Sequence, residues 1–181
     1  MQKYCFCAIK VIPLHKITPY IQIKEMAVEK TRNKLIEVAR MLFAKNGIEE
    51  TTMNDIALAS GKGRRTLYTY FKSKEDIYDA VVQDELELMA KKMSEVAQQD
   101  MDPEDKLVAL IYAHLTAIKE VVQRNGNIRA EFFRDIWRVS LIRQRFDRNE
   151  KILLTTILSE GVEKGQFEID DLSLMADIMA L

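Results

Sequence analysis

Two helical runs meet at Ser60-Gly61-Lys62-Gly63, and that junction limits the possible fold more than any other feature of the chain. "MNDIALAS" before it and "RRTLYTYF" after it are each only about two turns long. Isolated helices shorter than ~12 residues are marginal in water, so both runs must lie against something larger. Gly61 supplies the unusual backbone conformation that a sharp turn between them needs. The pattern is that of a helix-turn-helix. Ile56, Ala57, Leu67 and Phe71 form the inner side of the pair, and Leu42 and Phe43 of a preceding helix close the small core.

The rest of the chain also reads as helix. Leu35, Ile36, Ala39, Leu42 and Phe43 recur at helical spacing from about Lys30, and Asn46-Gly47 stops them. Thr52 with Asp55 three residues on is a capping box for the second helix. Ser73 caps a fourth helix that runs to about Ala97 with Ile77, Val81, Leu88 and Met89 on one face. "QQDMDPED" is a linker, after which Asp102 and Pro103 open a helix with a wide apolar stripe that includes Leu110, His114 and Ile118. Asn125-Gly126-Asn127 stops it. A helical region from about Ile128 carries Phe132, Phe133, Ile136 and Trp137, and a separate helix is expected from about Leu141 to Lys164. Asp170 or Asp171 caps the last helix. No strand alternation is convincing, and the expected class is all-α.

Three segments follow. Residues 1–29 lack a helical period and read as an extension, disordered or non-native, with Met26 as a candidate start. Residues 30–75 form the three-helix unit, and residues 76–181 a helical second domain. "DDLSLMADIMAL" ends in mid-stripe, so the last helix is expected to be longer in the native product and the dimer weaker without the missing turns.

Net charge is −1, which singles out no polyanionic partner, but the distribution is uneven. From Lys30 to Lys74 there are ten Lys/Arg against four Asp/Glu, and from Glu75 onward 13 against 22. A basic unit joined to an acidic remainder suggests an electrostatic task for the first. The outer side of the third helix shows Arg64, Arg65, Tyr68 and Thr69. A helix fits the major groove of duplex DNA, where arginine reads guanine bidentately, and hydroxyl groups suit phosphate oxygens. Cys5 and Cys7 are the only cysteines, too few for a structural zinc site, and no metal or cofactor is expected. No nucleophile–base pair is evident, and an enzyme is not expected. No apolar run approaches the ~20 residues of a membrane span, and a cytoplasmic protein is expected.

"LIEVARMLFAKNGIEETTMNDIALASGKGRRTLYTYFKSKEDIYDAVV" resembles the DNA-binding domain of the tetracycline-repressor (TetR) family, over Thr31 to Val82. Gly61, Thr66, Leu67, Tyr68, Tyr70, Phe71 and Lys74 match the family's run. Lys62 stands where Val is usual, Gly63 where Ser is usual and Arg65 where Gly or Ala is usual, so the operator is not readable. The resemblance implies a homodimeric repressor of palindromic double-stranded DNA, released by a small molecule. Its DNA-facing residues would be Thr52, Lys62, Gly63, Arg64, Arg65, Thr66, Tyr68, Thr69, Tyr70 and Lys74. A C-terminal domain would bind the effector and dimerise through its last two helices. A small, largely apolar effector would meet Met89, Met93, Leu110, His114, Phe133 and Trp137.

Plainer readings stand beside these. Arg64 and Arg65 could be a solvated pair, and Tyr68 or Tyr70 could belong partly to the core. His114 reads first as a satisfied core histidine and only second as a ligand contact. Phe133, Trp137 and the methionines read first as packing. The alternative to a DNA-binding regulator is a helical protein-interaction module, which a weak salt dependence would betray.

Overall fold

The computed structural model describes the backbone of residues 14–126 and 136–180, and the side chains of residues 26–126 and 139–180. Its helices are α1 (Leu14–Asn46), α2 (Met53–Ser60), α3 (Arg64–Tyr70), α4 (Lys74–Ala97), α5 (Pro103–Asn125), α6 (Ile136–Glu163) and α7 (Leu172–Met179). No strand occurs among the described residues, and none of their helices is long and apolar enough to cross a membrane.

Two cores lie along the chain. In the first, Leu35, Ile36, Ala39 and Phe43 of α1 meet Ile56 and Ala57 of α2, Leu67 of α3, and Ile77, Val81 and Val82 of α4. Phe43, Leu35, Ile56 and Leu67 are wholly buried. This is the small core that the helix-turn-helix pattern required. In the second, Met89 and Met93 of α4 meet Leu110 and Ala117 of α5, Phe146, Leu154, Ile157 and Leu158 of α6, and Ala176 of α7. α4 therefore belongs to both: its first half packs in one core and its second half in the other. A packed helix is stiff, so a shift at one end of α4 is felt at the other.

Helix ends follow the local chemistry. Gly47 leaves α1 with φ 86°, and Gly61 leaves α2 with φ 66°, both in the left-handed region that favours glycine. Ser73 Oγ accepts the Asp76 N–H at 3.2 Å to start α4. Asp171 accepts the Leu174 N–H at 2.9 Å to start α7. Asp102 stands at the cap of α5 without a side-chain bond, with Pro103 behind it.

Two expectations are corrected. α1 begins at Leu14, ahead of Lys30, so the part of the extension from Leu14 to residue 29 is helical. Once the packed stretch from Leu35 has nucleated a helix, added residues gain a backbone bond without a new nucleus, except where Pro19 has no N–H to give. Periodicity missed it because Met26 and Val28 are exposed and need no partner face. Residues 1–13 lie outside the described residues. Second, α6 is continuous from Ile136 through Leu141, where a break was expected. No Gly or Pro interrupts residues 136–160, and Val139 is buried. Phe132 and Phe133 lie outside the described residues. α7 ends at Met179, with Ala180 extended.

Gly161 lies near the end of α6, where Phe167 folds back over it. A Cβ at this position would stand 2.0 Å from the Phe167 ring. The Phe167 N–H also donates to the Gly161 carbonyl at 3.1 Å, which fixes the return of the chain toward α7. Gly161→Ala is expected to displace the ring and destabilise the protein by roughly 1–3 kcal/mol, as overpacking does. Urea denaturation followed by circular dichroism measures it, and an unchanged midpoint would mean that the ring is free to move aside.

Candidate nucleic-acid interface

α2 and α3 form a small platform on α1 and α4. Thr52 starts α2 with a complete capping box. Its hydroxyl accepts the Asp55 N–H at 3.2 Å, and the Asp55 carboxylate accepts the Thr52 hydroxyl at 2.6 Å and N–H at 2.9 Å. Those bonds, the hydroxyl's first, hold the Asp55 carboxyl below its ordinary range. Thr51, beside it, is buried and donates to the Gly47 carbonyl at 2.8 Å. At the turn, the Gly61 N–H reaches the Leu58 carbonyl and the Lys62 N–H the Ala57 carbonyl, each at 3.0 Å. The short α2 is thus closed at both ends by bonds rather than by its own length.

α3 is fastened by one side. Leu67 and Phe71 are buried, and the Arg32 guanidinium lies 5.6 Å from the Phe71 ring centroid. The other side points to solvent. Arg64 and Arg65 are exposed and have no carboxylate partner among the described residues. Tyr68 is 45% exposed, and Thr69 is exposed with its hydroxyl donating to the Arg65 carbonyl at 2.9 Å. Lys62 and Thr66 are half-buried at the edge. Tyr70 is half-buried against the first core, so it is the tyrosine that shares in the packing. Gly63 caps α3 with no side-chain bond.

Lys74 sits differently from the rest. Its Nζ donates to the Ile48 carbonyl at 2.7 Å and the Glu49 carbonyl at 3.2 Å, tying the loop before α2 to the start of α4. Lys74→Met is expected to release that loop and lower stability by up to roughly 1.5–3 kcal/mol, the range for hydrogen bonds to a charged donor. A thermal melt reads the loss; a melt identical to wild type would show the tether idle.

The residues expected to meet an effector are not all together. Met89 and Leu110 are inside the packed second core. Met93 lines a cleft of about 180 Å³ between α4 and α6, with Ala90, Ser94, Asn149, Glu150 and Leu153. His114 is buried behind that wall. Its Nδ1 is 2.5 Å from Glu150 Oε1, and its ring meets Phe146 edge-on at 5.9 Å. Phe133 lies outside the described residues, and of Trp137 only its place in α6 is described.

Two buried carboxylates were missed by the sequence reading. Glu150 is 3% exposed and Glu85 2% exposed. Glu85 Oε2 lies 3.1 Å from Arg124 Nη2 of α5, and Glu85 Oε1 3.4 Å from Arg40 Nε of α1. The signal was present in the spacing. Glu85 falls four residues after Val81 and four before Met89, and Glu150 falls midway between Phe146 and Leu154. A carboxylate on the apolar stripe of a helix is buried with its neighbours.

Comparison with known proteins follows this geometry. The family model of bacterial regulatory proteins of the tetR family matches residues 35–81, which hold the platform. The chain is 28% identical over 144 residues to the HTH-type transcriptional repressor KstR2 of Mycolicibacterium smegmatis, covering 77% of this chain and 68% of that one. A transcriptional regulator of the TetR/AcrR family from Thermobifida fusca is similar in structure, with a TM-score of 0.68 at 26% identity over 81% of this chain and 78% of that one. The ketosteroid transcriptional regulator KstR2 of Mycobacterium tuberculosis is similar with a TM-score of 0.55 at 27% identity, over 81% and 76% of the two chains.

Proposed function

The chain belongs to the tetR family of bacterial regulatory proteins and is a DNA-binding transcriptional repressor, and from that premise we propose how it reads DNA and what releases it. α3 lies in the major groove, where Arg64 and Arg65 read bases. Tyr68, Tyr70, Thr69 and Thr52, with Lys62 nearby, set the register along the phosphates. The observation that carries this reading is the two-sidedness of α3. Leu67 and Phe71 are buried, while both arginines are exposed on the opposite side with no carboxylate partner among the described residues. A solvated surface pair has no need of a helix so firmly fastened along its other side.

Regulators of this family bind DNA as dimers. In this chain α6 and α7 support a dimer surface, because Ile152, Leu174 and Ile178 are each more than half exposed along them. Two copies of α3 related by a two-fold axis read a palindrome, with half-sites one helical turn or a multiple apart, at ~34–36 Å per turn. A small, largely apolar effector binding at the second core biases α4 and with it the spacing of the two platforms. A coupling of ~1–3 kcal/mol is ordinary for such a switch.

Selection of bound sequences from random duplex DNA tests the reading. A palindrome bound by two copies is the expected result, with affinity falling steeply as salt rises. A single asymmetric half-site held by one copy, or no enrichment, would overturn it.

A further inference from the structure

Glu150 sits where a carboxylate is costly. It is 3% exposed on the inner side of α6, among the residues of the second core. One oxygen, Oε1, is engaged by His114 Nδ1 at 2.5 Å. The other, Oε2, is buried with no hydrogen-bond partner. An ionised carboxylate accepts bonds at both oxygens, and leaving one unmet in a buried setting is strongly unfavourable. Helix packing does not require the group, because Leu or Met at position 150 would continue the stripe from Phe146 to Leu154. Glu150 is also part of the wall of the cleft between α4 and α6. The remaining wall is mostly apolar, from Ala90, Met93 and Leu153, with Ser94 and Asn149 at its polar edge.

We propose that this cleft takes a compact, one-ring apolar molecule carrying an O–H or N–H donor and no negative charge, and that Glu150, held by His114, is the group that recognises the donor. The inference rests on the effector reading above and gives the effector a chemical class. Size and polarity both enter. A cavity of about 150 Å³ accommodates a benzene ring, and this cleft is about 180 Å³. Oε2 is covered while the cleft is empty, so a small turn of the Glu150 carboxylate brings it to the donor, while the ring covers Met93 and Leu153. A carboxylate ligand would meet Glu150 as a like charge and would be rejected. A ring with no donor would leave Oε2 as it is and gain only the apolar contact. His114 is a positioning residue here: its bond to Oε1 holds the Glu150 carboxylate at the wall of the cleft.

Three probes of similar shape separate the terms: p-cresol with a donor, p-xylene without one, and p-toluate with a negative charge. Calorimetric titration of the DNA-free protein is expected to show p-cresol binding at least tenfold more tightly than either of the others. Glu150→Gln keeps the shape and replaces an oxygen with an amide donor, so the preference for p-cresol over p-toluate should fall at least tenfold. Equal affinities of the three probes, no binding of any, or a preference that survives Glu150→Gln would each overturn the proposal; the buried oxygen would then be met by water alone. Should Glu150→Gln fail to fold, Leu153→Trp serves instead, since it fills the cleft and leaves the carboxylate in place. It must abolish p-cresol binding, and retained binding overturns the proposal. These titrations contain no DNA, so their failure is distinct from failure of the repressor reading, which the duplex selection decides. Adding p-cresol to the complex with the selected duplex should then raise its dissociation constant severalfold.

Discussion

Replacing Arg64 and Arg65 together with alanine is expected to reduce affinity for the selected palindrome by a factor of ~100–1,000, while binding to scrambled duplex falls far less. A bidentate arginine–guanine contact is worth about 1–3 kcal/mol of discrimination, and a symmetric dimer would make each contact twice. The loss stops where non-specific phosphate contacts take over, which bounds its size. The fold should not suffer. Both side chains are exposed and neither has a partner carboxylate among the described residues, and alanine is the best helix former. A thermal melt close to wild type together with a collapsed preference between the two duplexes is therefore the expected pair of results. Fluorescence anisotropy with labelled selected and scrambled duplexes measures it. An unchanged preference in the double variant would remove base reading from these arginines, whatever the total affinity did.

The platform was legible because short-range chemistry specifies it. Thr52 and Asp55 are three residues apart, Gly61 follows Ser60, and Ser73 precedes a polar first turn; each shows locally what the backbone must do there. The apolar residues that close the first core lie within one short stretch, so their spacing alone brings them together. The second domain was legible only as a set of helices. Its pairings join distant positions, such as His114 with Glu150 and Lys106 with Glu160 at 2.9 Å, and no local pattern indicates which helix faces which. Charge also misled. Glu85 and Glu150 interrupt apolar stripes and were passed over, although the spacing on both sides of each runs straight through it. Lys74 matched a motif and was read as facing phosphate, yet its ammonium is held by two backbone carbonyls, a contact that depends on a loop some 25 residues earlier. The start of α1 was hidden for the opposite reason: a helix that buries nothing leaves no period to find.

Removing both cations from around Glu85 should cost the protein several kcal/mol of stability. Arg40 of α1 and Arg124 near the end of α5 converge on this one carboxylate of α4, at 3.4 Å and 3.1 Å. Arg40 is itself only 8% exposed and also meets Glu37 and Asp84. The contacts are ion pairs without hydrogen-bond alignment, so the attraction that offsets the desolvation of Glu85 is coulombic. In the double variant Arg40→Met, Arg124→Met, Glu85 keeps its burial and loses both counter-charges. A loss of about 3–5 kcal/mol is expected, against a total of ~5–15 kcal/mol for a typical domain. Either single variant should lose less, because one cation remains. Adding Glu85→Met to the double variant should restore most of the loss, since well-packed apolar groups often replace a buried ion pair without penalty. What the apolar triple variant would lack is direction. A charge cluster admits one arrangement of α1, α4 and α5, whereas methionines tolerate several. The end of α5 is seated against α1 at the same place, where a Cβ on Gly126 would come within 2.9 Å of the Ala44 carbonyl oxygen. The cluster therefore joins the platform helix α1 to two of the helices that carry the second core, and the triple variant should fold well yet transmit an effector's binding to DNA less completely. Urea titration of the five proteins measures the stability cycle. A double variant within about 1 kcal/mol of wild type, with no recovery in the triple, would mean that water reaches Glu85 and that the two arginines are not what holds it.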